Sequence, residues 1–430
     1  MSLQECLASR KDCAGGGLTL ELTEVINICK TVQQADPLKT LFVILPDGTN
    51  YKGGIYKYEK EDFTLLTEKE KTSHIMELYP GVNWKENIEL KDLISIGLIW
   101  QYLSLKAGSI GLGVSQRARP PKKVNKIVNS LTNQNYSFIY SVAVQKRDHD
   151  YLLEDSSEPF RIELEKGIYV LDTPECYKHR AIYNKNYKGV ALEDAIFEKV
   201  NKKQSVDTTF NDLSQLLWAC QGENDHSTHG NRDPLEKNGF ARVTASGCAG
   251  YAVYPLVFVD NLTNLPNGAY IYNPIGFSAL NRWIYLMTES LEYDHYLENY
   301  SSYNFKEEIE KEFKIKFCKY VILLCVDRQK PCSGFMHSKL GKMFMNTQYW
   351  AEIEAGMALA GLQLQANASG LQWQKSIISN PDEIKYRTSF NLELAELKIN
   401  EIASKIMNLA KNEKFSLKEC LVPIALFSLI

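Results

Sequence analysis

Three groups of residues in this sequence have the chemical character of ligand-binding groups. Two of them are basic pairs, Arg10 with Lys11 and Lys146 with Arg147. Cationic side chains can neutralise a buried phosphate dianion, and the fork of arginine suits that anion especially well. The third group is a loop of small residues, Ala245, Ser246, Gly247 and Cys248. Without bulky side chains, such a loop lets backbone N–H groups approach the polar edge of a bound ring closely.

Each of these residues also has an ordinary structural explanation. A single lysine or arginine is usually part of a solvated helix face, and Gly247 fits a simple turn equally well. His226 and His229 lie three residues apart, a spacing compatible with a metal ion, but no third ligand stands near them in the sequence. We therefore expect a polar loop at these histidines and no metal site.

The composition indicates a globular protein with two domains. The chain has 430 residues, of which 44% are hydrophobic and 23% charged, enough for two cores. Its net charge of −3 argues against a nucleic-acid or anionic membrane surface, so small molecules or peptides are the expected partners. Neither a signal peptide nor an apolar run of membrane-spanning length is present, and the ten cysteines include no Cys-x-x-Cys pair. We expect a cytoplasmic protein with reduced thiols.

Three landmarks occur twice in the sequence and in the same order, which indicates an internal repeat. The matched stretches are 22–29 with 213–220, 54–58 with 268–272, and 103–112 with 362–371. The first pair has the pattern of amphipathic helices, the second of strands after apolar runs, and the third of a helix that ends at a capping glycine. The offset grows from 191 (Leu22 to Leu213) to 259 (Leu103 to Leu362), so the second copy carries insertions, which we place at 222–240 and around 289–316.

The repeat predicts two tandem copies of one α+β domain. The first, shorter copy spans residues 1–147, a connector spans 148–188, and the second copy spans 189–430. The connector contains an acidic, irregular stretch and a predicted strand pair. Apolar runs at 136–144 and 420–430 predict a final strand in each copy.

The motifs of the second copy resemble the nitroreductase family. LSQLLWACQG, ASGCAGYAVYP, PNGAYIYNP and WAEIEAGMALAGLQLQANASGL appear in that order, and within the family they are most similar to SagB-type dehydrogenases. The resemblance implies a nitroreductase-like fold, with a mixed, mainly antiparallel sheet flanked by helices, and a flavin mononucleotide (FMN) cofactor with two-electron chemistry. It also implies a twofold dimer with flavin at the interface. The fused copies would form that pseudo-dimer within one chain, as a monomer or as a homodimer of such chains.

The resemblance carries a flavin site onto residues of both copies. A basic stretch at the first helix would be Arg10, Lys11 and Asp12, and the cations after the last strand would be Lys146 and Arg147. Copy one would also contribute Gly111 and Gly113, and copy two would contribute the loop Ala245, Ser246, Gly247 and Cys248. The loop of copy one, at 31–37, has no glycine, and nothing basic follows the last strand of copy two. These complementary losses predict one composite site per chain.

Several positions depart from the family pattern. Asp12 stands where relatives carry serine, and a carboxylate there would repel a phosphate. Ala14 stands where relatives often carry a lysine near the flavin. A rival site would use Lys199, Asn201 and Lys203 of copy two, whose spacing fits the family stretch but which lack the partner loop and terminal cations.

The resemblance also suggests a base, because Lys342 occupies the place of a lysine implicated in proton removal. Lysine acts as a base only when burial or neighbouring cations lower its pKa, and a solvated lysine is the alternative. Met343 follows it where relatives have tyrosine, and Met357 replaces a family histidine.

We therefore expect an enzyme, an FMN-dependent oxidoreductase that exchanges two electrons with a small-molecule or peptide substrate, with NAD(P)H as a candidate reductant. The alternative is a catalytically silent flavin-binding or scaffold protein of a peptide-modification assembly.

Overall fold

The two halves of the chain each contribute one antiparallel sheet, and helices separate them. The computed structural model describes residues 1–10, 20–37, 39–47, 50–68, 76–83, 89–117, 122–138, 141–146, 168–172, 189–222, 224, 242–245, 251–273, 283–286, 305–327, 350–378 and 421–430. The helices are α1 (Leu3–Ala8), α2 (Leu22–Gln33), α3 (Leu90–Ser109), α4 (Lys122–Thr132), α5 (Leu192–Ile196), α6 (Phe210–Gln221), α7 (Phe305–Phe313) and α8 (Trp350–Ala368).

The strands fall into two sets. Those of the first half are β1 (Thr40–Leu45), β2 (Gly54–Glu59), β3 (Asp62–Glu68), β4 (Met76–Asn83), β5 (Leu112–Arg117), β6 (Tyr136–Ser137) and β7 (Ser141–Lys146). Those of the second are β8 (Ile168–Val170), β9 (Val253–Val259), β10 (Gly268–Asn273), β11 (Trp283–Leu286), β12 (Tyr320–Asp327), β13 (Trp373–Ile377) and β14 (Leu421–Leu429).

Six strands of each sheet follow the same order, whereas β6 and β8 have no counterpart among the described strands. The first runs β3-β2-β1-β4-β7-β5, with β6 attached to β4, and the second runs β8-β11-β10-β9-β12-β14-β13. Every pairing between described strands is antiparallel. When β1 is matched with β9, each neighbour of β1 has a counterpart beside β9. The mixed α+β class with antiparallel sheets flanked by helices is as predicted.

The central strands are apolar along most of their length because both of their faces are covered. Every residue of β1, β9 and β12 is buried. Such continuous apolar runs indicate strands without a solvent face. The apolar runs that precede the second landmark of the repeat, at 41–45 and 256–260, coincide to within a few residues with β1 and β9, as expected.

Helices α3 and α8 form the centre of the molecule. Residues 93–107 of α3 and 350–367 of α8 are buried without interruption, as expected of helices that are apolar all round. Helix α3 packs on β4 and β5, α8 packs on β9, β12 and β14, and the two helices pack on each other. The helix pair therefore lies between the sheets, and one hydrophobic cluster contains residues of both halves.

The backbones of α3 and α8 touch where two glycines face each other. A Cβ atom added to Gly97 would lie 2.0 Å from the carbonyl oxygen of Ile353, and one added to Gly356 would lie 2.2 Å from that of Ile94. Gly356 follows Gly97, and Ile353 follows Ile94, by the same 259 residues that separate the third landmark of the repeat. The contact is reciprocal, as in a twofold interface.

A second reciprocal contact joins the first residues of each half. The N–H of Leu3 donates to Val190 O at 2.8 Å, and the N–H of Leu192 donates to Met1 O at 3.3 Å. These bonds flank a bridge between Ser2 and Ala191. Helices α1 and α5 thus begin side by side.

Other local predictions are confirmed or revised by the described residues. Gly111 and Gly370 follow α3 and α8 with φ of +78° and +68°, which confirms capping glycines. The predicted strand at 136–144 is instead divided into β6 and β7. Within the predicted connector, β8 pairs with β11 and so belongs to the second sheet, while the domain boundaries stay a prediction. No described helix combines the length and the apolar character needed to cross a membrane.

Candidate functional site

Arg10, one of the predicted cations, lies buried between the two halves. It follows α1, and only 6% of its surface is exposed. Its Nε–H donates to Val243 O and its Nη2–H donates to Arg242 O, both at 2.8 Å. The structure therefore brings Arg10 of the first half to residues 242–245 of the second, where the predicted small-residue loop begins.

Two buried amides complete this hydrogen-bonded cluster. Gln101 of α3 donates from Nε2 to Val243 O at 2.8 Å. Asn224 donates from Nδ2 to Arg10 O at 2.9 Å and to Arg242 O at 2.8 Å. Buried carbonyl groups need such partners. The Oε1 atom of Gln101, in contrast, is buried and has no partner among the described residues.

Arg242 links the start of the loop to its end. Its Nη1–H donates to Gln221 Oε1 at 3.1 Å, and Gln221 donates from Nε2 to Thr244 Oγ1 at 2.8 Å. Its guanidinium carbon lies 4.0 Å from the ring centre of Tyr251, a cation–π contact. Tyr251 has a φ of +47°, so the chain leaves the loop through an unusual backbone conformation.

The segment after the loop is fixed by α8 and β12. The N–H of Ala252 donates to Glu354 Oε2 at 2.9 Å, and Ala252 O accepts from the N–H of Asp327 at 2.9 Å. Glu354 is buried in α8. Both ends of the loop segment are therefore held by buried hydrogen bonds.

Three further predicted residues lie together at the paired ends of β5 and β7. Leu112 pairs with Lys146, and Gly113 pairs with Gln145. Gly111 precedes them in the left-handed conformation, and a Cβ atom there would meet nothing within 4 Å. The glycine is thus required by the turn, and the space beside it is open among the described residues.

The remaining predicted residues lie outside the described part of the chain. These are Lys11, Asp12, Arg147, Ser246, Gly247, Cys248 and Lys342. His226 and His229 also lie outside it. Within the described ranges, no cluster of three potential metal-binding side chains occurs.

The rival cations of copy two make protein contacts. Lys203 Nζ lies 2.8 Å from Asp212 Oδ1, and Asp212 also accepts from the N–H and hydroxyl of Thr209 at the start of α6. The N–H of Lys203 donates to Gly370 O at 2.7 Å. Lys199 is largely exposed and lies 3.9 Å from Asp194.

The stretch predicted as the loop of copy one, 31–37, begins within α2, which ends at Gln33, and its remainder contacts protein groups. The hydroxyl of Ser95 donates to the carboxylate of Asp36. Desolvation lowers the pKa of Lys375 on β13, and the Asp36 carboxylate acts in the opposite direction. An acidic group therefore stands beside β13 of the second sheet.

Sequence reasoning did not select Gln101, Asn224, Arg242 or Glu354. Gln101 and Glu354 are polar residues inside apolar helices, and Glu354 belongs to the quoted EAG motif. Asn224 lies within the first predicted insertion, and Arg242 follows it. The available signal was a polar residue within a mostly apolar helix, where burial is expected.

Comparisons with known proteins identify the fold. No protein-family profile matches the chain, and no curated protein matches it. A candidate nitroreductase from Anabaena variabilis is 11% identical, with a TM-score of 0.50 over 100% of this chain and 86% of its own.

Two other solved structures are similar over parts of the chain. A candidate nitroreductase from Ralstonia eutropha is 16% identical, with a TM-score of 0.31 over 63% of this chain and 96% of its own. A chain of the Escherichia coli microcin synthetase McbBCD complex, with truncated pro-MccB17 bound, is 13% identical, with a TM-score of 0.26 over 80% of this chain and 98% of its own. The full-length likeness to the Anabaena protein shows that this chain has a nitroreductase-like fold.

Proposed function

We propose that the chain is an FMN-dependent oxidoreductase that exchanges two electrons with a small-molecule or peptide substrate at a single site between its two halves. The observation that carries the proposal is the burial of Arg10, from the first half, against Val243, from the second. This contact joins the start of the chain to the segment that leads into the small-residue loop. FMN, when bound, supplies a ring that takes up and returns two electrons.

We propose that residues of both halves hold the phosphate and the ring of the flavin. Lys146 ends β7 beside Gly111, where the described residues leave space, and Lys11 and Arg147 are its proposed partners in neutralising the phosphate. Ala245 opens the loop of small residues that we propose to lie along the ring, with Ser246, Gly247 and Cys248 following. Gln101 Oε1, a buried acceptor that lacks a partner within the described residues, could accept an N–H group there.

We propose one site per chain and not two. Lys203, the cation of the rival site, forms an ion pair with Asp212. Asp36, in the stretch 31–37 of copy one, accepts a hydrogen bond from the hydroxyl of Ser95. A carboxylate at the rival position would disfavour a phosphate dianion or a reduced, anionic flavin. The shared order of six strands in the two sheets further supports two diverged copies of one domain.

The test is reconstitution of the purified full chain with FMN. We expect a yellow protein that holds one flavin per chain, and a colourless protein that takes up no FMN would overturn the proposal. Two flavins per chain would contradict the single site. Replacing Lys146 and Arg147 together by alanine should weaken FMN binding by at least about tenfold, whereas Lys52→Ala, at an exposed surface pair, should not.

The alternative is a flavin-binding scaffold in a peptide-modification assembly. Met357, which replaces a histidine of the family, is fully buried in α8 and presents no polar group to a substrate. Anaerobic titration with NADPH or NADH separates the two functions. Reduction of the bound flavin favours the enzyme, in which Lys342→Ala should lower turnover without loss of FMN, whereas a flavin that neither cofactor reduces favours the scaffold.

A further inference from the structure

We infer that Arg10, Gln101 and Glu354 are positioning residues that hold the two ends of the segment 242–252, and that Arg10 acts on the bound flavin through this segment and not by contacting its phosphate. The inference rests on the proposed flavin site. In this arrangement Arg10 and Gln101, from the first half of the chain, position a segment of the second half.

The upstream end of the segment is held from both halves. Arg10 and Gln101, from the first half, both donate to Val243 O. The N–H of Val243 donates in turn to Gly222 O at 2.9 Å. The peptide groups around Val243 are thus fixed on both of their polar sides, in a buried setting where an unmade bond is costly.

The geometry of Arg10 argues against a direct phosphate contact. Nε–H and Nη2–H form one of the two edges of the guanidinium that can grip a phosphate or carboxylate with two parallel bonds. In this structure both groups donate to backbone carbonyl oxygens instead, those of Val243 and Arg242. The side chain is also almost completely buried.

Among the described residues, the downstream end is held by the second half. Glu354 accepts from the N–H of Ala252, and Arg242 lies over the ring of Tyr251. The two ends of the segment are therefore joined to each other as well as to the core. A segment held in this way loses less conformational freedom when a ligand binds, which raises affinity.

The positioning role of Arg10 predicts a result that a direct contact between Arg10 and the flavin phosphate would not give. Loss of Arg10 should weaken binding of FMN and of riboflavin, which has no phosphate, by the same factor. Loss of a phosphate-contacting cation should weaken FMN alone. The ratio of the two dissociation constants therefore distinguishes positioning from direct contact.

The first experiment measures both dissociation constants by flavin fluorescence on the full chain. We expect Arg10→Ala and Gln101→Ala to weaken both flavins equally, Arg10→Ala by at least about tenfold, and Lys146→Ala to weaken only FMN. Glu354→Ala should weaken both, and Glu354→Gln, whose amide oxygen still accepts from Ala252, should restore them. Weaker FMN binding with unchanged riboflavin binding in Arg10→Ala would overturn the inference.

The second experiment uses the flavin-free protein, so it does not depend on the proposed function. Hydrogen exchange of peptides that span residues 242–252 should be faster in Arg10→Lys, Gln101→Ala and Glu354→Ala than in wild type or Lys52→Ala. Unchanged exchange in these variants would overturn the inference even if FMN binds. Faster exchange in a protein that takes up no FMN would support the positioning role and refute the flavin site.

Discussion

Lys106 of α3 and Glu193 of α5 form an ion pair 2.6 Å long between the two halves. The side chain of Lys106 is 5% exposed and that of Glu193 is 41% exposed. Burial acts to raise the pKa of Glu193, but the hydrogen bond and charge of Lys106 outweigh it, and the pKa is lowered from its ordinary value of 4.5. The pair therefore stabilises the contact between the halves while the carboxylate is ionised.

A pH dependence of stability follows from this lowered pKa. The stabilisation is present above the ordinary pKa of glutamate and is lost as the pH falls through the lower value of the folded state. Lys106→Met should reduce the free energy of unfolding near neutral pH and flatten its decline in acid, as measured by urea unfolding at a series of pH values. Lys52→Met, which breaks the exposed pair with Glu68, should leave the profile nearly unchanged. An acid decline in Lys106→Met as steep as in wild type would contradict the assignment.

The close approach of α3 and α8 predicts unequal effects of glycine replacement. Gly97→Ala places a methyl group 2.0 Å from Ile353 O, so the helices must separate, at a cost of about 1–3 kcal/mol or more. Gly108→Ala, in the same helix with nothing within 4 Å of the new atom, should stabilise by about 0.4–1 kcal/mol. Equal urea midpoints for the two variants would refute this account.

The pairing of Lys203 with Asp212 predicts a structural role for the rival cation. Lys203→Met should lower the free energy of unfolding by up to about 1 kcal/mol, because Asp212 loses its cation at the start of α6. The melting temperature should fall slightly as a result. FMN affinity should stay within about twofold of wild type if the composite site is correct. A large loss of FMN would instead assign the flavin to copy two.

The buried thiols predict a pattern of protection from alkylation. Burial raises the pKa of Cys6 to about 12 and also raises that of Cys29, Cys220 and Cys325. Since the thiolate is the reactive form, iodoacetamide at about pH 8 should label these four only after unfolding, as followed by mass spectrometry of peptides. Labelling of any of them at the rate of the denatured protein would contradict their placement.

Elements with a local signature were predictable from the sequence. The apolar run at 420–430 predicted β14. The apolar helix patterns predicted that Gly111 and Gly370 would cap α3 and α8. The separation of β6 from β7 was not predictable, because both strands pair with β4 in registers that differ by one residue, Tyr136 opposite Asn83 and Val142 opposite Leu78. Local periodicity does not report the register in which two strands will pair.

The contacts of the site depend on residues far apart in the chain. Arg10 and Val243 are separated by 233 residues and Ala252 and Glu354 by 102, and a hydrogen bond of this kind leaves no periodic pattern. The resemblance to the nitroreductase family located Arg10 and the loop as candidates. It did not reveal that the arginine holds the backbone beside the loop.

The reciprocal contact of Gly97 with Gly356 has a consequence for how such a protein can change during evolution. In a homodimer, one mutation alters both sides of a twofold interface at once. Here the two sides are separate codons of one chain, so each can drift alone. A substitution near Lys203 changes only the second half, and a substitution near Arg10 changes only the first. One half can therefore specialise while the other preserves the shared core.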